Sequence, residues 1–590
     1  MTILSNELTV DDGGLGVQGA GRRPVAVVGC CSSGTANAPV PVDTLDGLTD
    51  TYGYGPAVRD AAAILSIAGG SVVMCRAATN AAGALGGMCQ GGGGGSSAGT
   101  FAAVVGSGTA IPALTGTPDR PYAVQVVVTT AGANLAATPV IKVSLDGGVT
   151  FLATGSIAAS ATPQAIGTTG LSLAFTDGSF VLNDAWNSFG ANCPTDADAT
   201  GTAAPAFSGT PNDAYDIRVK TVVAGASLTA LTAAVAVSID GGNTYGDPVA
   251  VPASGVYAIP NTGVTVTFGS GSFVVGDVFR VKTSAPTWNA SGLDAALDGL
   301  APMAGEYEFV HVAGPVDVTS AGTVKAWAVE REAAGEYVFA QCEARDNATG
   351  ESDTARNAAL QGTTPGFSGF DGEKYVDVHG SCGYVQSYTH PGSYPRRSLA
   401  ALRSARLAKE PPQRHPGRVR SGKIEGLMPD PVGGSSLLHN GATYTSLDTA
   451  RFSLAQSVKG QARGRYFFTS RTMALASSDF SEVQRIRVMC RAAAAALSQM
   501  STYVADDVGC KSDGSGQILP EEALRIEGEI KAVVKRAVVL APNAFASSVS
   551  VSVVRTNNLL STGNLQARIG VTPRGSVNSV STTISYTLGG

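Results

Sequence analysis

Charge is scarce in this chain: Asp, Glu, Lys and Arg make up 15% of 590 residues, and aromatics only 6%. The 40 Lys and Arg against 46 Asp and Glu give a formal net charge of −6, which excludes a generally basic nucleic-acid binder. No run of about 18 apolar residues occurs, so no helix spans a membrane. The opening MTILSNELTVDDGG has neither the basic nor the apolar region of a secretory signal peptide. The nine cysteines (Cys30, Cys31, Cys75, Cys89, Cys193, Cys342, Cys382, Cys490, Cys510) include no C-x-x-C pair. Synthesis in a reducing cytosol is expected, with free thiols packing as small apolar residues. A disulfide between neighbouring subunits stays open. The chain is instead 44% hydrophobic, with 74 Gly. That apolar fraction excludes disorder, and the length predicts about three to five domains, ample for several cores.

Charge type divides the chain. Residues 101–288 hold 11 Asp, no Glu and 6 Lys and Arg, hence −5, whereas 289–590 hold 30 Lys and Arg against 28 Asp and Glu. The acidic stretch is an internal duplication. GTPDRPYAVQVVV (116–128) matches GTPNDAYDIRVKT (209–221), VSLDGGVTF (143–151) matches VSIDGGNTY (237–245), and GLSLAFTDGSFVLNDAW (170–186) matches GVTVTFGSGSFVVGDVF (263–279). The offset is 93 or 94 residues each time. Short alternating stretches separated by turn residues read as two immunoglobulin-like β-sandwiches, over 101–196 and 197–288. The glycine run GALGGMCQGGGGGSSAG (83–99) reads as a flexible tether joining this insert to a host.

The host is split around the insert. RPVAVVG (23–29) reads as an apolar strand, GPAVRDAAAILSIAGG (55–70) as a helix ended by Gly69, and SVVMCR (71–76) as a second buried strand, an α/β pattern. EYEFVHVAG (306–314) and KYVDVHGSCGYVQ (374–386) read as further strands, with a helix in the Glu/Arg-rich stretch between them. The fold class is therefore mixed α+β and α/β, multidomain, with a tandem pair of sandwiches inserted into a split core. Towards the C-terminus, Asp479 and Glu482 read as a D-x-x-E cap for a long Ala-rich helix (480–504). A second helix (521–541) starts at Pro520, with Glu521 and Glu522 in its first turn and Ile526, Ile530, Val533, Val534, Ala537 and Val538 at helical spacing. Pro542 ends it. Strands follow at 547–555 and 579–588; in the latter Val580, Ile584, Tyr586 and Leu588 alternate with Ser and Thr. A strand of that kind either docks at a sheet edge or is donated to another subunit.

Catalytic chemistry is hard to find. GRVRSGKI (417–424) fits a phosphate-loop spacing, but Ile424 stands where a Mg²⁺-holding Ser or Thr belongs, and no strand precedes it. GSSAG (95–99) fits a nucleophile elbow but lies in the glycine run. The five histidines, His311, His379, His390, His415 and His439, form no ligand set. No cofactor or metal site is expected. SLDGGVTF and SIDGGNTY resemble Asp-box turns, in which Asp146 and Asp240 would accept backbone N–H bonds. The run 396–423 carries nine Lys and Arg and one Glu. Without interleaved aromatics it reads as a solvated face or a contact for an acidic protein partner rather than a nucleic-acid patch.

Two regions together resemble the tail sheath proteins of contractile phages and related contractile injection systems. RPVAVVGCCSSGTANAPVPVDTLDGLTDTYGYGPAVRDAAAILSIAGGSVVMCR is similar to the sheath pattern of an apolar strand ending in Gly, a small-residue loop, the pair Tyr52-Gly53, an apolar helix, Gly-Gly and a strand ending in Arg. The helix 521–541, the strand near 549–554, Asn557, Asn558 and RIGVTPRGSVNSVSTTISY are similar to the family's last domain. The resemblance implies an N-terminal arm (1–22), a sheath core in two parts (23–85 and 289–430) with a glycine linker (86–100) before the sandwiches, a C-terminal sheath domain (431–576) and a C-terminal arm (577–590). Val580, Ile584, Tyr586 and Leu588 would pair with a neighbouring subunit. It implies a non-enzymatic structural subunit of a virion tail, assembled in the bacterial host cytoplasm. That subunit polymerises in helical layers around an inner tube and contracts to drive the tube through an envelope. Partners would be further copies of the chain, the tail tube protein, and baseplate and terminator proteins, without direct nucleic-acid contact. Work would come from a metastable lattice, since no nucleotide site is legible. The insert is expected outside the particle, with host surface glycans as a candidate ligand, and its deletion is expected to leave assembly intact. A non-phage injection-system sheath and a multidomain sandwich adhesin remain as alternative readings. Helix 521–541 and the basic run 396–423 are candidates to face the tube.

Overall fold

The computed structural model describes residues 23–86, 102–105, 107–116, 124–145, 151–152, 157–167, 171–187, 201–203, 205–347, 351–428, 445–458, 461, 464–540 and 542–575. The two arms, residues 87–100 of the glycine-rich stretch, Asp146, His439, Cys89 and Cys193 lie outside them.

The host core is a six-stranded sheet. Its strands are β1 (Val25–Gly29), β2 (Pro39–Val42), β3 (Val72–Arg76), β4 (Phe309–Pro315), β5 (Ala340–Glu343) and β6 (Val376–His379), in the order β2-β3-β1-β4-β5-β6. All neighbours run parallel except β2 against β3. A parallel sheet buries both faces, which is why β1 and β3 read as continuous apolar runs rather than alternating ones. Val25, Val27, Val72 and Met74 face a helical layer formed by α1 (Pro56–Ala68) and α2 (Ala400–Lys409). Ala26, Val28, Val73, Val310 and Val312 face the opposite layer, where Leu293, Leu297, Val324 and Trp327 lie on the helices Ala290–Asp298 and Val318–Ala333. Helix α1 begins with Pro56 at its first position, where a missing N–H costs nothing. It is wedged between sheet and α2, so its buried residues run nearly all round it. Gly29 ends β1 because a Cβ there would lie 2.8 Å from the Ala313 carbonyl oxygen of β4.

The insert leaves and rejoins the core through a hydrogen-bonded stem. Ala81 bridges Thr287, the Ser284 N–H donates to Ala84 O at 2.8 Å, and Leu85–Gly86 pairs antiparallel with Thr283 and Lys282. The joint with the host is therefore this paired stem, which takes in the first residues (83–86) of the glycine-rich stretch. Residues 205–283 form a proximal unit of a three-stranded and a five-stranded sheet around one apolar cluster that includes Phe207, Ile217, Val266, Phe268 and Val281. Residues 102–187 form a distal unit with the same two sheets and their own cluster, including Leu114, Val126, Phe175, Phe180 and Trp186. The duplication extends to single hydrogen bonds. Gly108 N–H donates to Asp184 Oδ2 at 3.0 Å and Gly201 N–H to Asp277 Oδ2 at 2.8 Å, while Thr109–Ser179 and Thr202–Ser272 are hydroxyl pairs at 3.2 Å. One position differs. The edge strand that is Ala102–Val105 in the distal unit is supplied in the proximal unit by Leu85–Gly86. The first copy thus lies, along the chain, inside the second.

The C-terminal unit consists of α3 (Val483–Met500), α4 (Pro520–Val538) and a two-stranded antiparallel sheet of β7 (Ala546–Val553) and β8 (Ala567–Pro573). Ile526, Ile530, Val534 and Val538 form the buried stripe of α4 and pack with Ala492, Ala496, Phe545, Val549 and Val553. One reading needs correction, and one strand went unread. The D-x-x-E cap is not made: α3 starts only at Val483, and Glu482, at its N-cap, makes no side-chain cap bond. Glu482 is instead bridged to Arg471, and Val483 N–H donates to Ser470 O, so the chain stays extended through the expected first turn. The partner of β7 is Ala567–Pro573, within a stretch not read as a strand; Val580, Ile584, Tyr586 and Leu588 lie beyond the described residues.

Candidate functional site

The chain order of the core sheet reverses at the β1–β4 boundary: β3 was added on one side of β1, and β4 to β6 on the other. Such a switch point leaves a crevice at the carboxyl ends of the strands, the usual ligand position of an open α/β sheet. Here the proximal unit closes much of it. Arg59 of α1 points into the crevice and binds Asp213 of the insert through Nη1 at 3.0 and 3.2 Å. Its Nε reaches Asp60 at 2.8 Å, and Nη2 lies 3.9 Å from Glu343. Arg397 adds a second hold on Asp213 at 3.4 Å and also donates to the Ala214 carbonyl. Glu343 accepts the Gly314 N–H. Beneath them His311, wholly buried, lies 3.2 Å from Asp60 and 3.0 Å from the Ser404 hydroxyl.

Burial alone would raise the Asp60 carboxyl, but Arg59 and His311 outweigh it and hold it at about 2. Burial would likewise weaken Arg59 as a base, yet Asp213, Asp60 and Glu343 keep its pKa well above the usual range. Glu343 is displaced upward by burial and the Asp60 charge. The Asp60 shift predicts a specific pH dependence. A carboxyl held below its ordinary 3.8 contributes stability that is present above about pH 4 and is lost as pH falls towards 2. The contribution is about 2 kcal/mol. Denaturant titrations of wild type and Asp60→Asn between neutral pH and pH 2 are expected to converge at the acid end; parallel curves would contradict the assignment.

The Asp-box turn of the proximal unit forms the other half of this junction. Asp240 Oδ1 accepts from the Ser238 hydroxyl at 2.7 Å and Thr244 N–H at 2.9 Å, and Oδ2 accepts from the Thr244 hydroxyl at 2.7 Å. Gly241 takes φ 77°, which only the absence of a Cβ makes cheap. The turn-forming role read from sequence is what Asp240 performs, and a fourth donor, Tyr394 N–H at 2.9 Å, comes from the core. Tyr215 meets His390 edge-on at 5.7 Å, completing a polar junction between insert and core.

The basic run 396–423 is not a solvated face. Arg396 pairs with Asp346 at 2.8 Å, Arg403 with Asp377 in full burial, Lys409 with Glu425 at 2.9 Å and Arg414 with Glu410 at 2.6 Å. Arg406 donates to the carbonyls of Ser421, Gly422 and Lys423. The acidic partners are therefore within the same chain, and only Arg418, Arg420 and Lys423 are exposed. The phosphate-loop-like segment 417–424 thus presents carbonyls to an arginine, the reverse of a phosphate cradle.

No group of three or more His, Cys, Asp or Glu among the described residues could hold a metal ion. Burial raises the Cys31 and Cys75 thiols to about 12, and Cys342 and Cys382 are raised too, which suits packing rather than nucleophilic attack. His379 is wholly buried and stays neutral, its pKa driven down by burial, Arg403 and Arg356. His415 is lowered to about 4 by burial, and its Nδ1 accepts the Gly417 N–H. The junction between core and C-terminal unit is again ionic: Glu308 accepts from Arg487 at 2.8 Å and Arg491 at 3.3 Å. Neither edge of the β7–β8 sheet is paired among the described residues. Sequence reading missed Arg59 and Asp213. The signal was available, because the duplication aligns Asp213 with Arg120, a charge reversal between otherwise matching blocks.

Neither a protein-family profile nor a curated protein sequence matches the chain. Among solved structures it is similar to a sheath tail protein of Desulfitobacterium hafniense, at 9% identity over 97% of this chain and 100% of that one, with a TM-score of 0.38. It is also similar to a sheath tail protein of Listeria innocua, at 8% identity over 94% and 96% of the two chains, TM-score 0.37. A third is the sheath complex of an extracellular contractile injection system in its contracted state, at 10% identity over 53% and 77%, TM-score 0.36.

Proposed function

We propose that this chain is a non-enzymatic structural subunit of a contractile tail sheath, polymerising in helical layers around an inner tube and contracting to drive the tube through a cell envelope. The observation that carries the reading is the β7–β8 sheet, which is open at both edges among the described residues. The sequence that continues from it, 577–590, alternates Val580, Ile584, Tyr586 and Leu588 with small polar residues. An open edge together with a period-two arm is the chemistry of strand exchange between subunits, in which main-chain hydrogen bonds give directional linkage. The resemblance of both chain ends to sheath proteins supports the same reading. Copies of the chain, the tube protein, and baseplate and terminator proteins are its proposed partners, and the phage virion is its proposed location. The duplicated units are proposed to be immunoglobulin-like sandwiches on the outer surface. Negative-stain microscopy of the purified chain tests this: hollow cylinders are expected, and monomers under every condition would exclude a sheath.

A further inference from the structure

All four Lys and Arg residues of the second copy (197–288), Arg218, Lys220, Arg280 and Lys282, stand on one face of one sheet. Along Asp216–Val223 and Val278–Thr283 the core-facing residues Ile217, Val219, Phe279 and Val281 alternate with these cations. Register sets Arg218 opposite Arg280 and Lys282 opposite Asp216, the only carboxylate on these two strands. The first copy aligns Gln125, Val127, Asn187 and Phe189 with the four cations. One copy of an acidic duplication thus carries a basic sheet face. Arg218 and Lys282 of that face line a cleft of about 680 Å³ beside the Arg59–Asp213 junction, a volume in the range of small-molecule sites.

The other carboxylates of the cleft are engaged. Asp346 is held by Arg396, Asp213 by Arg59 and Arg397, Asp240 by four donors, and Glu343 by the Gly314 N–H and Arg59. Arg218 is not satisfied: its Nε has no hydrogen-bond partner, and it comes only within 3.9 Å of Asp216. Lys282 is exposed. Trp288 and Tyr384 also line the cleft, and the Trp288 indole is fixed by its 2.9 Å bond to Ala313 O. We propose that this cleft binds an anionic saccharide, with the carboxylate or phosphate on Arg218 and Lys282 and the sugar ring against Trp288. Guanidinium and ammonium groups bind such anions strongly, a half-buried indole offers the flat apolar surface a pyranose face requires, and the cleft is far larger than a bare phosphate needs.

The test uses the purified full-length chain in isothermal titrations with glucuronate, glucose 6-phosphate, glucose and inorganic phosphate, on wild type, Arg218→Gln (the residue of the first copy) and Lys282→Gln. The two anionic sugars are expected to bind at millimolar or better affinity, and glucose and inorganic phosphate more weakly. Each substitution is expected to weaken sugar binding roughly tenfold or more, the loss of a hydrogen bond to a charged group. Melting temperature should not move, since neither residue belongs to the apolar core. No binding by either anionic sugar, equal binding of glucose, equal binding of inorganic phosphate, or unchanged affinity in Arg218→Gln would each overturn the proposal. The outcome is independent of the sheath assignment, because binding is read on the chain whether or not it polymerises.

Discussion

Replacing Asp377 by alanine is expected to destabilise the core by about 3–5 kcal/mol, the cost of leaving a buried charge without its partner. Asp377 and Arg403 are both wholly inaccessible, and Arg403 Nη1 also donates to Gln341 at 2.8 Å and to Ser453 at 2.7 Å. Burial pushes the Asp377 carboxyl up to about 6 against the pull of Arg403. The network is incompletely satisfied, with Arg403 Nε and Nη2 and Asp377 Oδ1 lacking partners. Such a network is costly to break and contributes little over an apolar replacement. The double variant Asp377→Leu, Arg403→Met is therefore expected to regain most of the loss. Denaturant unfolding followed by tryptophan fluorescence, to which Trp327 buried in the core contributes beside Trp186 and Trp288, is the appropriate measurement. A loss below about 1 kcal/mol for Asp377→Ala would contradict the account of this pair.

Deleting the distal unit and deleting the whole insert are expected to differ sharply. The distal unit has its own apolar cluster, and the main contacts of its strands are with one another. Removing 101–196 is expected to leave core stability unchanged. Removing 101–288 takes away Asp213, Tyr215 and Asp240 and strips Arg59, Arg397, His390 and the Tyr394 amide of these partners. Each orphaned polar contact costs about 1–3 kcal/mol when it stays buried. This cost falls on core stability, whereas the expectation from sequence concerned assembly. Thermal unfolding of the two deletions, read beside the full chain, checks this. Equal stability of all three would show that the proximal junction is not structural.

The α/β core was legible because its signals are local: continuous apolar runs at β1 and β3, Pro56 and Gly69 bracketing α1, and the 3.6-residue stripe of α4. The duplication was legible because three blocks recur in order. The failures share a cause, which is tertiary pairing. The basic run looked solvated because its partners, Asp213, Asp346 and Asp377, lie distant in sequence. The cap at Asp479 fitted a local pattern that pairing of Arg471 with Glu482 overrides. The stem at 81–86 and 283–289 could not be seen from a glycine run that suggested looseness. The junction residues Arg59 and Asp213 were visible only as a charge reversal between repeats.

The central claim is that the chain ends link copies into a mechanical lattice. Its most direct measurement is electron microscopy of the purified full-length chain beside a version ending at Ser576, which lacks Val580, Ile584, Tyr586 and Leu588. Tubes from the full chain and only folded, unpolymerised protein from the shortened one are predicted. Tubes formed equally by both would contradict the account.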